Sequence, residues 1–432
     1  MKKENKKLTR YDGWSNVMTN IGVEGKDKRL ASTVSSTNLS SGYLRDFYRG
    51  DDIAKKIIDR EPNEMTREGF DLVIENNEGD LAEQVQDQLD GLQIETKMNE
   101  AMKWAKLFGG SALLFSVKGQ DPEKPLDLTK KNGGIEYAIV CTRDELKPGS
   151  KLDTDPASEN YRHPVYYFLR QDEKARIHYS RLIKFHGQKL DYEGMKSNKF
   201  WGHSILENLF GPVRNFNTSN DNVSLILDDF IKDIYKISGL INMMSTDGSE
   251  KLLIKRLQLI AQKRSLLNAI IVDSEDESFE SVTTNVTGIK DLLQIISSRL
   301  VAATDIPHTI LFGEGPNGGI GTEGNSEKRD WYDHIKNQQE QIYRPALEKI
   351  IDIILLSITG KLPKYTLTFR PLWQPTQKEI LEARNIQSQI DERYYGMGAV
   401  STDEVRQSRF GYGDYSFETK LLESESITKG IE

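Results

Sequence analysis

The nearest approach to a catalytic signature in this chain is Gly319-Ile-Gly-Thr-Glu-Gly324-Asn-Ser326, one residue away from a Walker A loop. Such a loop cradles phosphates with backbone N–H groups, and its lysine reaches the terminal phosphates. Here Asn325 stands where the lysine belongs, and no strand pattern leads in. Nucleotide hydrolysis therefore lacks both its cation and its scaffold. His178 and His186 stand eight residues apart in a β-rich stretch with no carboxylate cluster beside them, which suits structural hydrogen bonding better than a metal. Asp51-Asp52 and Asp273-Ser-Glu-Asp-Glu277 read as solvated turns, and Arg49-Gly-Asp51 as another turn. His308 has no partner nearby in sequence. No Gly-x-Ser-x-Gly elbow and no His-Glu-x-x-His helix occurs. Cys141, the single cysteine, excludes an intrachain disulfide and a multi-cysteine metal site, and reads as a small buried apolar residue. Trp373, Tyr394, Tyr395, Phe410 and Tyr412 could stack bases, but their neighbours are mixed in charge and packing is the better reading. No catalytic residue, cofactor or metal site is expected.

The elements that would position a site are clearest around the glycine-rich stretch. Ile289, Leu292, Leu293, Ile296 and Leu300 form a helical stripe. Asp305-Ile306-Pro307 ends it, because proline disfavours helical geometry in the residue before it. Gly313 to Ser326 follows with six glycines and almost no apolar side chain. A loop this long in a compact domain is uncommon and usually functional; this one must project and stay mobile. Helix resumes near Glu327, with Trp331, Ile335, Ile342, Ala346, Ile350 and Ile354 on one face. Pro345 removes one hydrogen bond and should kink that helix.

Upstream, residues 1–40 are polar and aperiodic and read as a flexible arm. The ordered body begins at Ser41, with a break at Gly50-Asp-Asp52. A helical pattern from Leu81 ends at Gly109-Gly110, and Gly110 to Val117 reads as a buried strand. Glu136 to Phe185 is β-rich, with Val165–Leu169 and Arg181–Phe185 as its clearest strands. Ser204 to Tyr235 is helical in pattern, with stripes Leu206/Leu209/Phe210/Val213 and Val223/Leu227/Phe230/Ile231/Ile234. Ile237 to Met243 reads as strand, Glu250 to Lys263 as helix and Asn268 to Asp273 as strand. Lys364 to Tyr415 reads as strand, helix, helix, and Ser401-Thr-Asp-Glu404 is a capping box.

At 432 residues two or three domains are expected. Apolar content of 37% with 29% charged residues fits a soluble protein with much exposed or inter-subunit surface. No apolar run reaches membrane-spanning length; Ile350 to Ile358 is short and broken by Asp352. The N-terminus lacks the apolar core of a signal peptide. A net charge of −8 without a basic stripe argues against a strong nucleic-acid clamp, whose affinity comes from neutralising phosphates. It does not argue against a wall past which a duplex must slide.

The order of these elements resembles the portal proteins of tailed bacteriophages. Ala302-Ala-Thr-Asp-Ile-Pro-His-Thr-Ile-Leu-Phe-Gly313 is similar to the end of the family's second stem helix, with its "G-V-P-x-x-L-G" pattern. Arg344-Pro345-Ala-Leu347 resembles the "R-P-L-L" of the helix that follows, and Ile177 to Gly187 resembles the wing segment "I-H-x-S-R-V-I-R-F-x-G". The similarity covers roughly residues 40 to 415, and its weight lies in the motifs' order along one chain.

The resemblance implies an α+β, portal-like fold. Its parts would be a flexible arm (1–40), a mixed α/β wing (41–218), a first stem helix (219–237), a small α/β clip (238–286) and a second stem helix (287–307). A tunnel loop (308–327), a long kinked wing helix (328–362), a helical C-terminal wing or crown region (363–415) and a flexible tail (416–432) would complete it. It implies a ring of about twelve copies at one capsid vertex, closed by head-to-tail contacts. Gly313, Glu314, Asn317, Gly319, Gly321, Glu323, Gly324 and Asn325 would form the channel loop, and Val223, Leu227, Phe230, Leu292, Ile296 and Leu300 would pack the stem. The partners implied are further copies of the chain, the terminase large subunit, a head–tail adaptor, a major capsid or scaffold protein, and double-stranded DNA passing without sequence preference, with no membrane. Such a subunit works in the virion and, during assembly, the host cytoplasm, and is not itself an enzyme. The alternatives are a hydrolase built on the degenerate glycine-rich loop, or another virion structural component.

Overall fold

The computed structural model describes residues 39–75, 80–128, 133–170, 172–228, 231–237, 255, 258, 277–283, 288–313, 322–373 and 377–410. Met1–Arg370 forms one compact unit and Pro371–Glu432 a second. The expected mixed α+β character is present.

Two short capped helices open the first unit. α1 (Ser41–Gly50) is capped by Ser40, which accepts from Tyr43 N at 3.2 Å, and α2 (Asp52–Thr66) by Asp51, which accepts from Ala54 N at 2.7 Å. The acidic turn at Asp51 is thus a helix cap. β1 (Phe70–Ile74) is followed by α3 (Asp80–Gly91) and α4 (Ile94–Phe108). The helical pattern from Leu81 is therefore two helices. Gly91 closes the first, and Gln93 takes a left-handed turn (φ 54°) before the second.

α4 buries Ile94, Met98, Ala101, Met102, Ala105 and Phe108, an i, i+4, i+7, i+8, i+11, i+14 stripe, against one face of a three-stranded antiparallel sheet. That sheet has the order β3 (Ile135–Thr142), β2 (Gly110–Val117), β7 (Leu182–His186). Central β2 is buried on both faces, and Ser111 Oγ on its α4 side donates to Ala101 O. Its other face meets a cluster of Ala112, Leu114, Cys141, Tyr167, Ile177 and Trp201. A second sheet, β4 (Leu146–Pro148), β5 (Tyr166–Leu169) and β6 (Asp172–His178), supplies Tyr167 and Ile177. α5 (Tyr192–Ser197) follows.

The wing motif at Ile177–Gly187 turns out to be a fastening. A 3₁₀ turn, Tyr179–Arg181, joins β6 to β7, and His178 accepts from Ser180 N at 3.3 Å. Ser180 Oγ accepts from Leu126 N at 2.8 Å. Buried Arg181 donates to Gln120 Oε1 at 2.9 Å and to Asp121 O at 3.2 Å, pinning the 120–126 loop. Gly187 must be glycine for close approach, since a Cβ there would lie 2.5 Å from His203 O and 2.6 Å from Ala105 O.

α6 (Ile205–Asp228) runs out of this body and meets α7 (Ile289–Thr304). Between them β8 (Ile231–Ile237) pairs antiparallel with β9 (Glu277–Thr283) over seven positions, with Tyr235 opposite Phe279. The expected first stem helix over 219–237 is corrected here: helix stops at Asp228. A local 3.6-residue pattern is a weak prior, and a long-range ladder outweighs it. The strand expected over Ile237–Met243 is reached only at Ile237, the end of β8; its remaining residues and the strand expected over Asn268–Asp273 lie outside the described residues. Of the helix expected over Glu250–Lys263, only Lys255 and Gln258 are described, both helical.

α8 (His308–Phe312) follows Pro307, and then comes a single helical rod. It consists of α9 (Thr322–Gln338), a π turn (Gln339–Tyr343) and α10 (Arg344–Thr359). In the π turn Arg344 N–H reaches back to Gln339 O, directly before Pro345, whose missing N–H already interrupts the ladder. α10 is the core of the unit, with Ile350, Ile351, Ile353, Ile354 and Leu355 fully buried. Arg344 ties the rod to β10 (Tyr365–Phe369), donating to Leu367 O at 2.7 Å and lying 5.2 Å from the Phe369 ring. β10 pairs antiparallel with β1.

The second unit contains α11 (Gln377–Gly396) and α12 (Thr402–Phe410). Arg409 grips Asp391 with two hydrogen bonds of 2.8 and 2.9 Å. The capping box forms as read: Glu404 N donates to Ser401 Oγ at 3.3 Å, and Ser401 N to Glu404 Oε2 at 2.8 Å. No helix among the described residues is long and apolar enough to cross a membrane.

Candidate functional site

The site that the sequence points to is the α6–α7 pair and the link between α8 and α9. α7 is opened by Gly288 and closed by Asp305, whose left-handed backbone (φ 55°) turns the chain into Ile306-Pro307. α8 is capped by Gly313 at φ +88°, a conformation that suits glycine. Phe312 stacks near Phe216 of α6 (5.3 Å between ring centres), and His308 lies 4.7 Å from Phe312. Thr309 N donates to Glu327 Oε2 at 3.4 Å, tying α8 to α9.

The expected loop, 308–327, is shorter than its sequence suggests. Residues 308–312 are helix α8, and Glu323, Gly324 and Asn325 lie in the first turn of α9. A first turn tolerates such residues, since its N–H groups have no intrahelical partner and its dipole favours an acidic side chain. The described structure leaves only Gly313 to Gly321 between the helices, and Glu314, Asn317, Gly319 and Gly321 are flanked by those ends. Glu314, Asn317, Gly319 and Gly321 themselves lie outside the described residues. The element before the link is a helix, not the strand a P-loop needs.

The stem residues divide. Leu300 is fully buried, Ile296 and Val223 are half-buried, and Leu292 is 62% exposed. Leu227 lies on the α6 backbone, and Phe230 falls outside the described residues. Ile295 (66%) and Leu225 (63%), not singled out from sequence, are exposed as well. Three large aliphatic side chains are thus left in solvent on two neighbouring helices.

The other candidates dissolve into structure. Burial pushes the Cys141 thiol up to about 12, far from a reactive thiolate. No cluster of His, Cys, Asp and Glu among the described residues could hold a metal. Tyr394 and Tyr395 are exposed on α11, while Tyr412 lies outside the described residues.

One cluster had no signal in the sequence. Glu61 of α2 pairs with Lys106 of α4 and, at 3.8 Å, with His334 of α9. Burial works against the Glu61 carboxylate, but the two cations outweigh it and hold it down to about 2. The hydrogen bond to Glu61 raises His334 against its own burial. The triad fastens α9 to α2 and α4.

The α6–α7 pair thus presents bare aliphatic residues and leads through α8 into the glycine-rich link. A model of the phage portal protein family matches residues 43–393. The chain belongs to that family, the phage portal proteins. It is similar to the "Anti-CBASS protein Acb1" of Caulobacter sp. (strain RHG1), 30% identical over 384 residues, which are 86% of this chain and 61% of that protein. A protein of the same name from Sphingomonas paeninsulae is 27% identical over 407 residues, 91% of this chain and 64% of that one. The chain therefore spans less than two thirds of the length of these two relatives. Among solved structures, a chain from the "Neck of empty GTA particle computed with C6 symmetry" aligns with a TM-score of 0.52 at 12% identity, over 87% of this chain and 94% of that one. At that identity the likeness is one of fold.

Proposed function

We propose that this subunit assembles into a ring of about twelve copies, through which double-stranded DNA enters the capsid and later leaves it. α6 and α7 form the stem around the channel, and the link between Gly313 and Thr322 faces the duplex. The expected clip (238–286), which includes β9, docks the terminase large subunit during packaging and a head–tail adaptor afterwards, and the body sits among major capsid or scaffold proteins. The protein works in the virion and, during assembly, in the host cytoplasm. The observation that carries this reading is the family match over 43–393. The bare Leu225, Leu292 and Ile295, on two helices that pack together, support it, because exposed aliphatic side chains on paired helices suit a contact with another chain. The subunit itself is catalytically silent toward ATP and DNA. The name carried by the two relatives belongs to much longer proteins, and an activity housed in their unmatched part says nothing of residues 1–432.

Negative-stain imaging and native mass spectrometry of purified protein test the reading. A perforated ring is expected; a compact monomer at micromolar concentration refutes it. ATP turnover, or DNA cleavage with Mg²⁺ or Mn²⁺, above an Asn325→Ala control would refute the silence.

A further inference from the structure

Four charged side chains from four elements line one cavity of about 360 Å³ beneath the rod. They are Glu61 of α2, Lys106 of α4, Asp305 at the end of α7 and His334 of α9. His186 lines it too, from the end of β7. Burial, then Lys184, His163 and Lys189, push the His186 ring down to about 4, so it is neutral at physiological pH. α6 contributes Ile205, Asn208 and Leu209 and no charge. On α9 itself Asp330, Asp333 and Lys336 are exposed. Two carboxylates thus face one ammonium, and the His334 ring decides the balance. The cluster is even when that ring carries a proton and one negative charge in excess when it does not.

His334 stands where the proton matters. It pairs with Glu61 at 3.8 Å, and Trp331, one turn before it, stacks on it with ring centres 5.5 Å apart and planes 19° apart. A charged imidazole gains from a carboxylate and from the face of an indole. The hydrogen bond to Glu61, opposed by burial, raises the ring; the charges of Glu61 and Asp305 add to the rise and Lys106 subtracts from it. α9 is also less firmly seated than the rest of the rod. Its inner face lies over the cavity, and among its described residues the buried apolar side chains are Trp331 and Ile335, whereas α10 is core along its length. The π turn and Pro345, where the hydrogen-bond ladder is interrupted, lie between the two halves. Other ties of this half to α2 are polar: Arg67 lies 5.5 Å from the Tyr332 ring, and Gln339 Nε2 donates to Met65 O at 2.7 Å.

We propose that His334 is a proton-operated latch on α9. Protonated, it draws α9 onto Glu61 of α2 and toward Asp305 at the end of α7. Neutral, it leaves α9 loose above the cavity while α10 stays in the core. α7 ends before α8 and the glycine-rich link, and α9 begins after them, so one ring sets how firmly both flanks of that link are held. The latch is closed below the ring's unfolded value near 6.5 and opens as pH rises through its higher folded value. It lies within one subunit and depends neither on ring formation nor on what the link meets.

The test is amide hydrogen exchange of the full chain at pH 6.0 and 8.5, with labelling times scaled to the intrinsic rate at each pH. Exchange reads local opening element by element. Protection of α9 relative to α10 is expected to fall about fivefold from the lower pH to the higher, the scale of one partly exposed ion pair. His334→Gln, which cannot take the proton, is expected to show the lower protection at both pH values. Glu61→Gln removes the charge that the ring answers and is expected to flatten the response as well, which gives the same reading if His334→Gln does not fold. An α9 whose protection does not change with pH, an equal change in α10, or an undiminished pH response in a folded His334→Gln or Glu61→Gln variant overturns the proposal.

Discussion

Helices α7 and α10 are both sixteen residues long and both rich in leucine and isoleucine, yet they meet opposite fates. α10 buries Ala346, Leu347, Ile350, Ile351, Ile353, Ile354, Leu355 and Leu356. α7 buries only Ser297 and Leu300, and leaves Leu292 and Ile295 in solvent. An apolar stripe therefore says that a helix wants a partner. It does not say whether the partner is in the same chain. In α10 it is, and the helix is the core of the subunit. In α7 it is in part α6, and for the rest, in the proposed ring, it would be a neighbouring subunit.

The sharpest way to break this contrast is by truncation. Ile354→Ala should cost about 2–5 kcal/mol of subunit stability, because a fully buried aliphatic side chain leaves a cavity behind. Leu292→Ala should stay within about 0.5 kcal/mol, as befits a side chain mostly in water. Urea denaturation of dilute, dissociated subunit measures both, and equal losses would erase the distinction between the helices. The same logic separates two charge insertions. Leu292→Asp should leave the fold intact and abolish rings in native mass spectra. Ile296→Asp, half-buried, should damage both. Undisturbed rings in both variants would remove α7 from the interface.

A smaller effect compares two histidines by pH. His186 is held down to about 4, so between its unfolded value near 6.5 and 4 only the unfolded chain binds the proton. Its contribution is present above 6.5 and is lost as pH falls toward 4, by about 3 kcal/mol in all. His334, raised by Glu61, runs the other way: its contribution is full below the unfolded value and fades as pH rises through the folded one. Denaturation midpoints measured from pH 7.5 to 4.5 should fall with acid. His186→Asn should flatten that limb and His334→Gln should steepen it. Identical pH profiles for all three proteins would show that neither ring titrates as its surroundings dictate.

What the sequence revealed follows the range of the forces involved. α10, central β2 and the Ser401–Glu404 box were legible because periodicity, length and capping are local. The wing motif at Ile177–Gly187 was legible as a resemblance, but its physics was not. Arg181 holds carbonyls some 60 positions earlier, and Gly187 is required by the carbonyls of Ala105 and His203. The run through Ile231 and Ile234 has a helical period, and β9, the partner that makes it a strand, lies far along the chain. The Glu61–Lys106–His334 triad joins three helices and leaves no pattern on any of them. Thr322–Asn325 looks like loop by composition and yet is helix, because a helix's first turn asks little of its residues.

The smallest stability effect, and the most specific functional one, should come from the link between α8 and α9. Deleting Pro316 to Gly319 leaves Gly313, Glu314, Gly315, Ile320 and Gly321 between the two helices. Their anchors are untouched: Gly313 still caps α8, and Glu327 still accepts from Thr309. Shortening nine residues to five changes loop-closure entropy by only about 0.5 kcal/mol. Folding and ring formation should therefore survive. If the link meets the duplex as proposed, contact is steric or runs through Asn317 and backbone amides, since Glu314 would repel phosphate. Particles built with the shortened subunit should then package or retain less DNA, and the defect should change little with salt, unlike an ion-pair contact. DNA content measured by quantitative PCR after nuclease treatment reads this directly. Full particles with a shortened link would show that it is a connector only. An unfolded subunit would show that the link belongs with α10 on the side of the core rather than with α7 on the side of assembly.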